Sequence, residues 1–163
     1  MLSKKVQEAL NEQINHEFYS AYYYLAGSAY CEEKNLPGFA KWLKTQAQEE
    51  IVHGMKLFDL IHARTGHVQL EKIDQPPTSF KSLLDVFQQV LKHEQQVTEM
   101  IHVLYELAQK EKDYATQIAL QWFVTEQVEE EKTSAELVER FKMVGDQGNL
   151  LMLMDKELGS RTA

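Results

Sequence analysis

The sequence predicts an all-α fold: a four-helix bundle with one long crossover between its second and third helices, and a short fifth helix at the C-terminal end. Three observations predict it. Helix formers dominate a chain of 163 residues that only three prolines and seven glycines interrupt. Four long stretches carry apolar residues at alternating steps of three and four, the period of a bundle seam. The breaks between these stretches run short, long, short. The length suits one domain over residues 1–163, with the bundle at about 4–144 and the last helix at about 147–159.

Composition narrows the class. Hydrophobic residues at 44% and charged residues at 26% are the balance of a globular chain rather than a disordered one. The net charge of −8 disfavours nucleic acid and anionic membrane surfaces as partners and suits cations. The one cysteine, Cys31, excludes an intramolecular disulfide framework and reads as a structural thiol. No apolar run reaches the roughly 18 residues of a membrane span, and no signal-peptide pattern opens the chain. The cytoplasm is the default expectation.

Ser3 can cap a first helix over residues 4–34, whose seam runs Leu10, Ile14, Ala21, with Glu17 inserted and Tyr24 following. The breaker Asn35-Leu36-Pro37-Gly38 turns the chain into an antiparallel second helix, 39–64, with the seam Leu43, Gln46, Glu50, His53, Leu57, Leu60. Gly66 ends it. The stretch 67–79, with Pro76-Pro77, could span about 45 Å if extended, and the helices are about 39–46 Å long. It can therefore cross the bundle and make the second and third helices parallel. The third helix, 80–110, has the seam Leu83, Phe87, Val90, Glu94, Val97, Ile101, Leu104, Ala108. Asp113 can cap the fourth, 114–144, with the seam Leu120, Phe123, Gln127, Glu130, Ser134, Leu137, Phe141. Gly145 and Gly148 bracket the last break, before the apolar segment 150–154.

In every helix the core-facing row is broken near its middle by carboxylates: Glu17, Glu50, Glu94 and Glu130. Central breaks meet at one depth whichever way each helix points. Glu50 and His53 form a Glu-x-x-His pair, so both side chains leave one face of the second helix. Burying even one isolated carboxylate costs several kcal/mol or raises its pKa until it is neutral. No Arg or Lys occupies any of the four seams to offset that cost. A polar network using Gln127 and Tyr24 as donors is the bland alternative. Hard carboxylate oxygens and one imidazole around iron are the better account.

With these residues in place, the whole chain resembles a bacterial non-haem ferritin, and the expected topology is ferritin-like. The resemblance implies a di-iron ferroxidase centre. Glu17, Glu50 and His53 match the ligands of a first iron, with Glu50 bridging. Glu94 and Glu130 match those of a second, and Gln127 stands beside it. Tyr24 matches a tyrosine next to the centre. Glu49, Glu126 and Glu129 match a third iron site on the cavity side. The implied partners are Fe²⁺, O₂ or H₂O₂, and further copies of the chain in a shell of 24, with segment 150–154 lining its fourfold channel. Gln127-x-x-Glu130 replaces the second Glu-x-x-His of bacterioferritin, which implies a more loosely held second iron. Bacterioferritin's haem-ligating methionine corresponds to Ile51, so no haem is expected. The pore carboxylates of animal ferritins have no counterpart at Tyr114, Gln117 and Leu120.

Two neighbouring classes fit less well. A rubrerythrin-type protein needs a Cys-x-x-Cys module, which one cysteine cannot supply. A DNA-protecting mini-ferritin lacks the fifth helix and places its ligands between subunits. Other features read as structural. Trp122 shares a face with Glu126 and Glu129 and reads as packing. Phe18, Tyr19, Tyr22 and Tyr23 read as packing or subunit contact. His16, His62, His67, His93 and His102 show no partner spacing and read as surface or interface residues.

Overall fold

The computed structural model describes residues 2–145 and 147–161. Ser3 accepts a hydrogen bond from the Val6 amide at 3.3 Å and starts α1, Lys4–Glu33. α2 is Pro37–Ala63, α3 is Leu83–Lys110, α4 is Tyr114–Val144 and α5 is Gly148–Gly159. The expected bundle with a short fifth helix is present, and the described residues contain no strand.

Helix boundaries differ from the expectation where side chains outside the pattern decide them. α2 begins at Pro37, because a proline without an amide hydrogen suits the first helical position. α3 begins at Leu83 rather than residue 80, since Ser82 caps it by accepting from the Asp85 amide at 3.1 Å. Asp113 caps α4 as expected, accepting from the Thr116 amide at 3.2 Å. Its carboxylate also takes 2.6 Å bonds from Arg64, which ties the end of α2 to the start of α4.

Three helices end in the same paired backbone bonds. Leu36 and Asn35 donate to Cys31 and Glu32, Gly66 and Thr65 to Ile61 and His62, and Asp113 and Lys112 to Ala108 and Gln109. The residue that turns left-handed is Asn35, Thr65 or Lys112 in turn, with φ of 58°, 56° and 56°. Glycine is the usual occupant of that position. Gly66 ends α2 as expected, as the donor of the 2.9 Å bond to Ile61, and the helix stops at Ala63, one residue before the expected 64.

Cross-helix contacts fix the topology. Ser28 meets Ala40, and Gln7 meets His67, so α1 and α2 are antiparallel. Tyr23 meets Gln89, and Lys5 meets Glu111, so α1 and α3 are antiparallel too. α2 and α3 are accordingly parallel, which gives the up-down-down-up order. The crossover is fastened along α1 by Gln7, Asn11 and Asn15, which bond the backbone of His67, Gln69 and Lys72. These three side chains recur every four residues on one helix face.

The apolar core has two parts. One contains Phe39, Trp42, Phe87 and Phe141; the other contains Leu10, Ile61, Ile101 and Leu120. A polar layer separates them. Ile61, not the expected Leu60, is the fully buried residue at the end of the α2 row, and Leu60 is half-buried. Cys31 is buried, and burial pushes its thiol up to about 12, as suits a structural cysteine. No described helix is long and apolar enough to cross a membrane.

α5 docks on the start of α2. That end of α2 has no side-chain cap of its own, and Asp155 of α5 supplies one by accepting from the Phe39 amide at 2.9 Å. A Cβ on Gly38 would lie 1.7 Å from the Asp155 carbonyl oxygen, so only glycine permits this approach. Lys41 bonds the Gly159 carbonyl, and Arg140 forms a two-point pair with Glu157. Gly38→Ala is expected to displace α5 and to destabilise the protein by about 1–3 kcal/mol. Asp155→Ala, which removes the cap alone, should cost roughly 1 kcal/mol. Denaturant midpoints of the two variants test this, and a wild-type midpoint for Gly38→Ala would contradict the docking.

Candidate metal centre

The polar layer is built by residues that the three- and four-residue rows force inward. Glu17, Glu50, Glu94 and Glu130 are all buried, at 2%, 2%, 1% and 7% exposure, where an unscreened charge is most costly. Glu17, Glu50 and His53 come together: each offers a ligand atom within 4.8 Å of the others'. The His53 Nδ1 atom lies 3.3 Å from Glu50 and 3.9 Å from Glu17. Glu94 and Glu130 do not join that group; each is held by neutral donors instead.

Those donors are specific. Gln13 donates its amide to Glu17 at 2.8 Å. Tyr24 donates its hydroxyl to Glu94 at 2.5 Å, and Gln127 donates to the other oxygen of Glu94 at 3.1 Å. The Gln127 nitrogen also faces the Glu94 carbonyl and Thr98. Gln46 donates to Glu130 at 2.9 Å. Among the described residues, no Lys or Arg pairs with any of the four carboxylates.

Electrostatics follow from this burial. Burial pushes the Glu17 carboxyl up to about 7, against the lowering effect of hydrogen bonds from Gln13 and Glu50. Burial raises Glu50 well above the carboxylate range, and the charges of Glu94, Glu17 and Glu130 add to it. Glu94 is raised by burial despite the bonds from Tyr24 and Gln127. Burial and the Glu94 charge push Glu130 up to about 8. Burial, with a smaller contribution from Lys56, lowers His53 to about 4, so its imidazole is neutral near pH 7. The Nδ1 contacts are then not ion pairs, and a neutral ring nitrogen aimed at two carboxylates is a donor set for a divalent cation. Tyr24 is held protonated, its pKa raised by burial and by the surrounding carboxylates.

The other candidates sit at the rim. Glu49 and Glu126 are half-buried and Glu129 is exposed. Glu49 and Glu126 lie near enough to Glu130 to raise its carboxyl. Glu49 is engaged by Arg161, which reaches in from beyond α5. Trp122 packs edge-on against His53 with ring centroids 5.2 Å apart, and Lys56 lies over the Trp122 ring, 4.3 Å from its centroid. Ile51, the residue after Glu50, is exposed, and Leu120 is buried within the bundle.

One reading is corrected. His93 is not a surface residue: it is buried, bonded to Ser20 at 2.8 Å and stacked on Tyr23 with centroids 4.6 Å apart. It lies one residue before Glu94, off the helix row, and α1 covers it. Gln13, Gln46, Thr98 and Arg161 were not singled out as site residues. Gln13 was accessible in principle, since it lies one helical turn before Glu17. Gln46 stood on the seam of α2 as a polar break of the same kind. Nothing in the sequence brings Arg161 near Glu49.

A family model described as a ferritin-like domain matches residues 7–144. Among curated proteins, the bacterial non-heme ferritin of Staphylococcus haemolyticus (strain JCSC1435) is 46% identical over 99% of this chain and 98% of its own length. That of Staphylococcus aureus (strain USA300) is 43% identical over the same shares. Among solved structures, an open-pore ferritin from the archaeon Archaeoglobus fulgidus superposes with a TM-score of 0.98 at 45% identity, covering 99% of this chain and 100% of the other. Fold, end-to-end identity and a buried row of carboxylates converge on one conclusion: this chain belongs to the ferritin family.

Proposed function

We propose that this ferritin stores iron, and that it oxidises Fe²⁺ at a centre inside each bundle before depositing Fe³⁺ in the cavity of a hollow shell. The observation that carries the reading is the meeting of Glu17, Glu50 and His53, with Glu94 and Glu130 buried at the same level. Iron is the substrate. Glu17 and His53 would hold the first Fe²⁺ and Glu94 and Glu130 the second, with Glu50 between them at the ~3.5–4 Å separation of two-metal sites. Each Fe²⁺ gives up one electron, and the pair reduces O₂ to H₂O₂ or H₂O₂ to water. Carboxylates favour this direction because they stabilise Fe³⁺ more than Fe²⁺.

The remaining residues have supporting roles in this reading. Gln127 and Tyr24 orient Glu94 by their hydrogen bonds. Tyr24 is also placed to supply an electron. With an amide rather than an imidazole at Gln127, the second iron is held more weakly and can leave toward Glu49, Glu126 and Glu129, the proposed third site. The resemblance to ferritins supports a hollow shell, for which we propose 24 subunits, and particle size is the direct check.

Adding about two Fe²⁺ per chain to the iron-free protein in air should give rapid oxidation by stopped-flow absorbance, in a particle of 24-mer size. Glu50→Ala should slow that initial oxidation by more than about 100-fold, while the shell still assembles; a wild-type rate would remove the proposed centre. Glu129→Ala should slow later turnovers severalfold more than the first, and an equal loss in both would defeat the third-site reading. The carboxyls predict a pH dependence as well. Their pKa values are raised on folding, from 4.5 to about 7 at Glu17 and about 8 at Glu130. The stability they contribute is present below pH 4.5 and lost as pH rises through 7 to 8. Thermal midpoints of the metal-free protein should therefore fall across that window, and Zn²⁺ should reverse the fall.

A further inference from the structure

Arg161 lies two residues past the end of α5 and reaches back to the rim of the metal centre. Its guanidinium grips both oxygens of Glu49, at 3.0 and 2.7 Å, and donates to the Gln46 side-chain oxygen. It also lies over the Trp42 ring, 5.1 Å from the centroid. The amide nitrogen of the same Gln46 donates to Glu130. One cation from the C-terminal tail thus holds a carboxylate proposed for the third iron site, and through one glutamine it also braces a carboxylate proposed for the second iron.

Anchoring α5 does not require this contact. Asp155, Lys41 and the Arg140–Glu157 pair already fasten the helix at three other points. The Arg161 Nη2 atom donates to both Glu49 oxygens while Nη1 donates to Gln46, so the guanidinium covers the face of the carboxylate that a metal ion would take. We propose that Arg161 is a built-in competitor for the third metal site: it neutralises Glu49 when the site is empty, and metal arriving at Glu49 displaces it and frees the tail. The proposal rests on the assignment of Glu49, Glu126 and Glu129 as a metal site. Linkage requires that docking of the tail weaken metal binding by the same factor by which metal weakens docking.

The test uses Zn²⁺, which does not change oxidation state, with the intact metal-free protein. Calorimetric titration of wild type and Arg161→Gln should give two tight sites per chain that are alike in both proteins. The next Zn²⁺ should bind about 5- to 100-fold more tightly in Arg161→Gln. Arg161→Lys, which keeps the charge but has one nitrogen where the guanidinium uses two to hold Glu49 and Gln46 together, should fall between them. In the wild type, Zn²⁺ at third-site occupancy should accelerate tryptic cleavage after Arg161, read by mass, whereas two Zn²⁺ per chain should not. An unchanged or weaker third site in Arg161→Gln, or cleavage indifferent to Zn²⁺, would overturn the competition while leaving the central sites intact. Absence of the two tight sites would instead overturn the metal-centre reading, and this proposal with it.

Discussion

Four carboxyl groups buried at one level of an otherwise apolar bundle set the terms for everything around them. Left ionised and unpaired, each would cost several kcal/mol, and neighbouring charges of one sign multiply the difficulty. The protein meets this with neutral donors rather than cations: Gln13 on Glu17, Tyr24 and Gln127 on Glu94, Gln46 on Glu130. Amides and a phenol can stabilise a carboxylate without cancelling its charge. The layer therefore stays short of positive charge, a deficit that a metal ion would fill. The two aromatic and aliphatic clusters above and below it supply the favourable burial that makes such a layer tolerable.

The layer is also uneven. Glu17, Glu50 and His53 already converge, whereas Glu94 and Glu130 are tied to partners that would have to yield or turn before both could face the same ion. The proposed function draws on this difference: a converged half would hold one iron, and a half that must rearrange would hold another that leaves again.

The seams were legible because helix geometry alone dictates them. Steps of three and four put Glu17, Glu50, His53, Glu94 and Glu130 on inward faces, and the short-long-short breaks gave the topology. One boundary escapes for a local reason: Ser82, two residues past the apolar Phe80, caps α3. The rest depends on residues far apart in the chain. His93 sits beside the helix row rather than on it, and only the arrival of Ser20 and Tyr23 from α1 makes it a core residue. The fastening of the crossover is of the same kind: Gln7, Asn11 and Asn15 are a polar stripe at helical spacing, and only folding brings the backbone of His67, Gln69 and Lys72 to it. Arg161 reaches Glu49 across 112 positions of sequence, and no periodicity points to it.

The borrowed cap on α2 gives the chain a direction in time. α2 holds Glu49, Glu50 and His53, but its opening turn is satisfied by Asp155, 116 positions after the Phe39 amide that it caps. During translation the helix that carries Glu50 and His53 waits with an exposed amide at its start until α5 emerges. The capped form of α2 thus follows the synthesis of α5, and a chain interrupted before Asp155 would carry the carboxylates without the helix that steadies them.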